Sequence, residues 1–185
     1  MAETGKFPID RLIGAINKWI DGDGNNQNPK ARGILADLRH GLSEATQYRA
    51  WPHILGINHK AFDTLRDKVI WLTIAGGMAT LLDGKNRSYG NMGATLRNIA
   101  IEQGKEGLNS FGGRFRRMLS CRRPEEVCLQ LTGVFRAAKQ KGVPINFSKL
   151  YWDLIQWDNP ERQVKIEWAK AYWGENPVPE KGEES

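Results

Sequence analysis

The chemistry-bearing residues of this chain are concentrated in one place, and they are arginines. Residues 111–141 read FGGRFRRMLSCRRPEEVCLQLTGVFRAAKQK and hold eight basic side chains: Arg114, Arg116, Arg117, Arg122, Arg123, Arg136, Lys139 and Lys141. Only Glu125 and Glu126 oppose them, so this stretch alone carries +6, which equals the net charge of the whole protein. All other segments together sum to about zero. A guanidinium presents a planar fork of donors that suits phosphate, and a one-signed block of them is the footprint of a surface for a polyanion. The plain alternative is a solvated helix face. The apolar residues between the arginines keep helical spacing, which gathers the charge on an outward side.

Other chemistries find little support. The three histidines, His40, His53 and His59, fall within residues 40–59, far in sequence from Cys121 and Cys128. The cysteines are seven residues apart with Pro124 between them and read as small apolar fillers in a reducing compartment. Residues 21–28, DGDGNNQN, are superficially similar to a calcium loop, but Asn26 stands where the turn needs Gly and Arg32 where the bidentate Glu belongs. No GxSxG, HExxH or P-loop pattern occurs. We therefore expect no enzyme, no metal and no cofactor. The N-terminal residues have no apolar signal region, and the longest apolar run, 69–82, is too short to span a bilayer. The expected location is the cytoplasm.

The elements that must position the arginines read as helices throughout. Residues 7–20 carry a stripe of Leu12, Ile13, Ile16, Trp19 and Ile20, and 21–28 follow as a surface loop. Asn28-Pro29 is a cap followed by proline at the first helical position, with Ala31, Ile34, Leu35, Leu38 and Leu42 facing inward. Arg32 and Arg39 share a different face, with Lys30 close by. Pro52 ends or kinks a helix, and a long apolar helix runs from Ala61 to about Leu82. Gly76-Gly77 within it marks a close crossing or a kink. A polar loop over 83–90 leads to a helix of Met92, Leu96, Ile99 and Ala100, with Arg97 off its apolar stripe. The Gly-rich residues 103–110 read as a boundary. Beyond it, Phe111, Phe115, Met118 and Leu119 face inward, and Pro124 opens a second helix that ends at Gly142. Asn146 or Ser148 caps a third helix. Asp158-Asn159-Pro160-Glu161 reads as the start of a fourth, with Val164, Trp168, Ala171 and Tyr172 inward. No segment alternates like a strand. The expected class is all-α, with two small packed helical bundles at 1–105 and 106–175 and a disordered acidic tail at 176–185. Of the seven tryptophans, Trp51 and Trp157 are candidates for stacking on bases, against burial in the core.

The order of these motifs resembles a known family. RGILADLRHGLSE (32–44) with RAWPHIL (49–55), NMGATLRNIA (91–100), and above all residues 114–173 with their basic helix, R-x-P-E-E helix start and W-D-x-P-E-R turn are similar to the CasB family. That family is the small subunit of the type I-E CRISPR surveillance complex, Cascade. The resemblance implies an all-helical, non-catalytic subunit that pairs head to tail with a second copy and sits beside backbone and large subunits. It also implies contact with guide RNA and target DNA, holding the displaced strand and stabilising the R-loop in antiviral defence. Carried onto matching positions, the nucleic-acid-binding candidates are Lys30, Arg32, Arg39, Arg97, Arg114, Arg117, Arg122, Arg123 and Arg136. His40 stands where the family pattern has a second basic residue. Two readings of other classes stay open: a helical DNA-binding regulator, and a scaffold whose arginines bind acidic protein partners.

Overall fold

The structure, a computed structural model, describes residues 7–24, 28–82, 90–102 and 107–174, without the side chains of 23, 24 and 108–110. The polar loop expected at 83–89, most of the boundary at 103–106 and the tail expected at 176–185 lie outside the described residues. The described residues form nine α-helices and one 3₁₀ turn, with no strand. The helices are α1 (Pro8–Gly24), α2 (Pro29–His40), α3 (Trp51–Leu55), α4 (Leu65–Leu81), α5 (Met92–Ile101), α6 (Gly107–Ser120), α7 (Pro124–Lys141), α8 (Phe147–Ile155) and α9 (Val164–Trp173). The protein is all-α.

Local chemistry sets most of the helix starts. The Asn28 side chain accepts from the N–H groups of Lys30 and Ala31, and Thr64, Asn91 and Asn146 cap α4, α5 and α8 in the same way. At α7 the Glu126 carboxylate reaches back to accept from the Arg122 and Arg123 N–H groups at 2.8 and 3.4 Å. This is one half of a capping box; a guanidinium has no acceptor for the other half. Gly142, at φ 64°, ends α7. There the Val143 N–H donates to Ala138 O and the Gly142 N–H to Lys139 O, a Schellman stop.

Helix α4 is the axis of the core. Every residue from Ile70 to Ala79 is buried, which is why its apolar pattern runs nearly all round. Its glycine pair lets two neighbours approach on different sides. A Cβ on Gly76 would lie 2.6 Å from Leu42 Cγ, and one on Gly77 would lie 2.7 Å from Phe135 Cε2 and 2.8 Å from Phe147 Cε1. So the pair marks helix crossings, with α2 on one side and α7 and α8 on the other. A third notch lies at Gly93, where a Cβ would fall 2.0 Å from the Trp168 carbonyl oxygen, so α5 and α9 touch backbone to side-chain-free backbone. Helix α4 packs on α7, α5 on α9, and α1 on α2, α4 and α8, and one hydrophobic cluster joins them.

Several boundaries differ from the sequence reading. Helix α4 begins at Leu65, not Ala61, because Thr64 is extended and its hydroxyl donates to Asp67 Oδ2 at 2.6 Å while accepting from the Asp67 N–H. Pro52 falls inside the first turn of α3 and opens that helix. Helix α1 runs on to Gly24, into the stretch read as loop, and α6 begins at Gly107, inside the stretch read as boundary. The last helix starts at Val164, after a turn: Asp158 is engaged elsewhere, and Asn159 caps only that turn. Asp158 pairs with Arg66, and Asn159 accepts from the Glu161 N–H while donating to Gln156 Oε1. Gln163 takes the cap position with φ 49°, a left-handed conformation uncommon for a residue with a Cβ.

Candidate nucleic-acid interface

Helix α6 is strongly two-sided. Phe111, Phe115 and Met118 are buried, while Arg114, Arg116 and Arg117 are exposed. The aromatic anchor is Phe115, which stacks on Tyr172 with centroids 4.4 Å apart and tilts against Trp173 at 5.0 Å. This fixes the roll of α6 on α9 and aims its arginines outward. Arg114 and Arg117 line one shallow groove of about 230 Å³ with Leu96, Gln130, Gly133 and Val134 of the neighbouring helices. The Arg114 guanidinium lies 5.5 Å from the Phe111 ring and that of Arg116 lies 5.6 Å from the Trp173 ring. A cation on an aromatic face keeps its N–H fork available to an anion at its edge.

The turn carrying Arg122 and Arg123 is fixed from below. The Cys121 carbonyl receives the Trp157 indole N–H at 3.1 Å and the Lys165 ammonium at 2.6 Å. Arg122 and Arg123 are both exposed. Arg123 Nε approaches Glu126 Oε1 at 3.5 Å, but the Arg123 side chain is 71% exposed, so this pair is weak. Backbone N–H groups of Arg122 and Arg123, more than any side chain, hold the Glu126 carboxyl below its ordinary range. Arg136, Lys139 and Lys141 are exposed along α7, though Arg136 does not line the groove of Arg114 and Arg117. Among the described residues no carboxylate pairs with Arg114, Arg116, Arg117 or Arg136.

The remaining candidates sit differently. Arg97 is half-buried and donates from Nη1 to the carbonyls of Tyr172 and Gly174, at 3.1 and 2.6 Å, tying down the end of α9. Its Nε is buried without a partner. Arg39 is half-buried and donates from Nε to Ala79 O at 2.8 Å, closing the end of α4. Lys30 and Arg32 are exposed at the start of α2. The structure thus brings Arg114, Arg116 and Arg117 onto one helix beside the turn of Arg122 and Arg123. It turns Arg39 and Arg97 inward onto backbone carbonyls. Arg49 Nη1 lies 3.0 Å from His40 Nε2, and because a guanidinium only donates, the imidazole nitrogen accepts there.

Of the indoles, Trp157 is 2% exposed and spent on Cys121, and Trp51 is half-buried under the Lys68 ammonium, 4.6 Å away. The exposed ones are Trp152 and Trp173. Sequence reasoning left Arg116 and Trp173 out of the candidate set. Arg116 breaks the strict outward spacing of Arg114 and Arg117, and nothing in the sequence reveals that α9 ends beside α6. Among the described residues no group of three or more His, Cys, Asp or Glu is placed to hold a metal ion. His53 Nε2 instead meets Asp37 Oδ2 at 3.2 Å. Cys121 and Cys128 are buried, and burial pushes the Cys128 thiol up to about 12.

A family model, CRISPR-associated protein Cse2, matches residues 34–173. The chain belongs to the Cse2 family. The match spans 140 of 185 residues and takes in every helix from α3 to α9, with most of α2. Lys30 and Arg32 precede it. Cse2 is the CasB family, the small structural subunit of type I-E Cascade, so the family agrees with the motif resemblance. A Cse2 protein is one subunit of an assembly that contains others. No curated protein and no solved structure matches the chain. Among the described residues no helix is long and apolar enough to cross a membrane.

Proposed function

We propose that this Cascade subunit grips the sugar–phosphate backbone of guide RNA and target DNA, steadies the R-loop and helps hold the displaced strand. The observation that carries this reading is the row of exposed arginines on α6 and the following turn, of which Arg114, Arg116 and Arg117 meet no carboxylate among the described residues. Arg136 on α7 and Lys30 and Arg32 at the start of α2 are further exposed cations in this reading, outside the groove of Arg114 and Arg117. Arg39 and Arg97 act chiefly as internal struts in this reading. Base pairing selects the sequence, so the subunit needs no base-edge readout. Exchange of a DNA duplex for an RNA–DNA heteroduplex is nearly balanced, so a few backbone contacts can tip it. A head-to-tail pair of copies lying along the backbone subunits and beside the large subunit would double the row. The reading places no bond-breaking step on this chain.

The test is salt dependence. Each phosphate contact releases counterions, giving a slope of log K against log salt of about −0.9 per contact on duplex and −0.7 on single strands. Replacing Arg114 and Arg117 together with Ala should lower the slope by roughly 1.4 to 1.8 and weaken all sequences equally. An unchanged slope removes the phosphate role and favours a scaffold whose arginines bind acidic proteins. Preference for a palindromic site would favour a regulator.

A further inference from the structure

On the other flank of α7 lies a second groove, of about 350 Å³, with a different character. It is walled by α4, α7 and the segment that follows α2, with Leu72 and Cys128 buried at its floor. Two leucines stand on its rim almost fully in solvent: Leu65 is 72% exposed and Leu129 81%. A helix turns about 100° per residue, so the α7 residues of this groove project roughly 140° away from Gln130, Gly133 and Val134, which line the arginine groove.

The charges lining it are unusual for this chain. Glu44 and Glu125 face it with Lys68 as the one base, its ammonium 4.6 Å from the Trp51 ring, so the lining carries a net negative charge. Glu125 Oε2 is out of solvent contact and has no hydrogen-bond partner among the described residues. Its neighbour Glu126 caps the helix, and Arg66, close enough for Glu125 to favour its charge, is spent on Asp158 and the Ile155 carbonyl. A carboxylate oxygen kept from water without a donor is costly, and a donor supplied from outside would relieve that cost. A polyanion is repelled by this lining, and a purely apolar ligand would leave the carboxylate unmet.

We propose that this groove is a protein-docking site that takes a basic–aliphatic segment of another Cascade subunit. An Arg or Lys of that segment donates to Glu125, and its aliphatic neighbours cover Leu65 and Leu129. The site is separate from the arginine surface and does not rest on the polyanion reading. One subunit would thereby present opposite flanks of a single helix to two kinds of partner.

The experiment co-expresses Glu125→Gln, Leu129→Ser and the double variant with the remaining subunits of the complex, and measures retention of this chain on the assembly. Each single change is expected to weaken retention tenfold or more with the free chain's salt slope for single-stranded DNA unchanged; Leu129→Ser should leave its melting temperature unchanged, and Glu125→Gln should hold or raise it because a strained buried carboxylate is removed. Leu129 is so exposed that Leu129→Ser should fold, and Glu125→Gln provides a second arm that leaves the groove's shape intact. Unchanged retention in both variants overturns the proposal. So does a change confined to self-association in sedimentation, which would make a second copy the occupant, or a changed DNA slope, which would make the groove a nucleic-acid site. Failure of the Arg114/Arg117 slope test would leave this result standing, so the two readings fail separately.

Discussion

The contact between α5 and α9 makes the sharpest prediction about stability. A Cβ added at Gly93 would lie 2.0 Å from the Trp168 carbonyl oxygen and 2.8 Å from its carbon. These are backbone atoms, so no rotamer change relieves the overlap. To reach an ordinary C···O approach of about 3.3 Å the two helices must part by roughly 1.3 Å. Overpacking of this kind costs about 1–3 kcal/mol on its own. Separation also draws Arg97 away from the Gly174 carbonyl, now 2.6 Å distant, to well beyond hydrogen-bond range. A charged hydrogen bond adds roughly 1.5–3 kcal/mol to the loss. Set against the roughly 0.5–1 kcal/mol that Ala gains over Gly in a helix, Gly93→Ala should therefore destabilise the chain by about 1.5–5.5 kcal/mol, or roughly 3–20 °C in melting temperature for a domain of this size. The matched control is Gly33→Ala, in the exposed middle of α2, where an added Cβ meets nothing within 4 Å. There the same change should stabilise by about 0.5–1 kcal/mol through helix propensity. Circular dichroism melts and urea titrations of both variants supply the comparison. If Gly93→Ala melts within a degree of the parent, or both variants shift in the same direction, the packing argument is wrong.

Trp168→Phe keeps an aromatic ring, smaller than the fully buried indole, and removes the N–H that donates to Asp153 Oδ2 at 2.7 Å. Asp153 is 2% exposed and would keep only Lys149, so urea denaturation should show a loss of about 1–3 kcal/mol. The Arg66 guanidinium, bonded to Asp158 at 2.7 and 2.9 Å, holds the Asp158 carboxyl below its ordinary range. A depressed carboxyl stabilises the fold above its unfolded value and loses that contribution as pH falls through its folded value. Arg66→Ala should flatten the acid limb of the stability profile below about pH 4, by under about 1 kcal/mol because the pair is partly exposed. Cys128, raised to about 12 by burial, should resist alkylation at pH 8 until the chain is unfolded. Fast labelling of the native protein, mapped by mass spectrometry, would contradict its burial between α7 and α4.

Most of the helical framework was legible because it rests on local rules. Asn28-Pro29, Pro124-Glu125-Glu126 and the Gly142 stop each declare a helix end without reference to the rest of the chain. The apolar all-round pattern of α4 identified the core axis, and the glycine pair announced its crossings. What stayed hidden depends on distant partners. Asp158 looked like a cap until Arg66, 92 residues earlier, claimed it. Arg39 and Arg97 looked like free surface cations, because a sequence does not show that the carbonyls of Ala79, Tyr172 and Gly174 lie within reach. The same is true of Trp173, which becomes a neighbour of Arg116 only once Phe115 has stacked on Tyr172. The arginines of α6 were readable because their helix is amphipathic by itself.

The glycine notches have a consequence for recognition. Gly76, Gly77 and Gly93 each let one helix key into another at a distance that leaves no room for a Cβ. A scaffold toothed in this way cannot splay to follow a ligand. It offers its cations at a pitch set during folding, before any strand arrives, so association spends little entropy on arranging the receptor. In the proposed function a flexible strand would then adapt to the protein's spacing, as thread laid along the pegs of a loom.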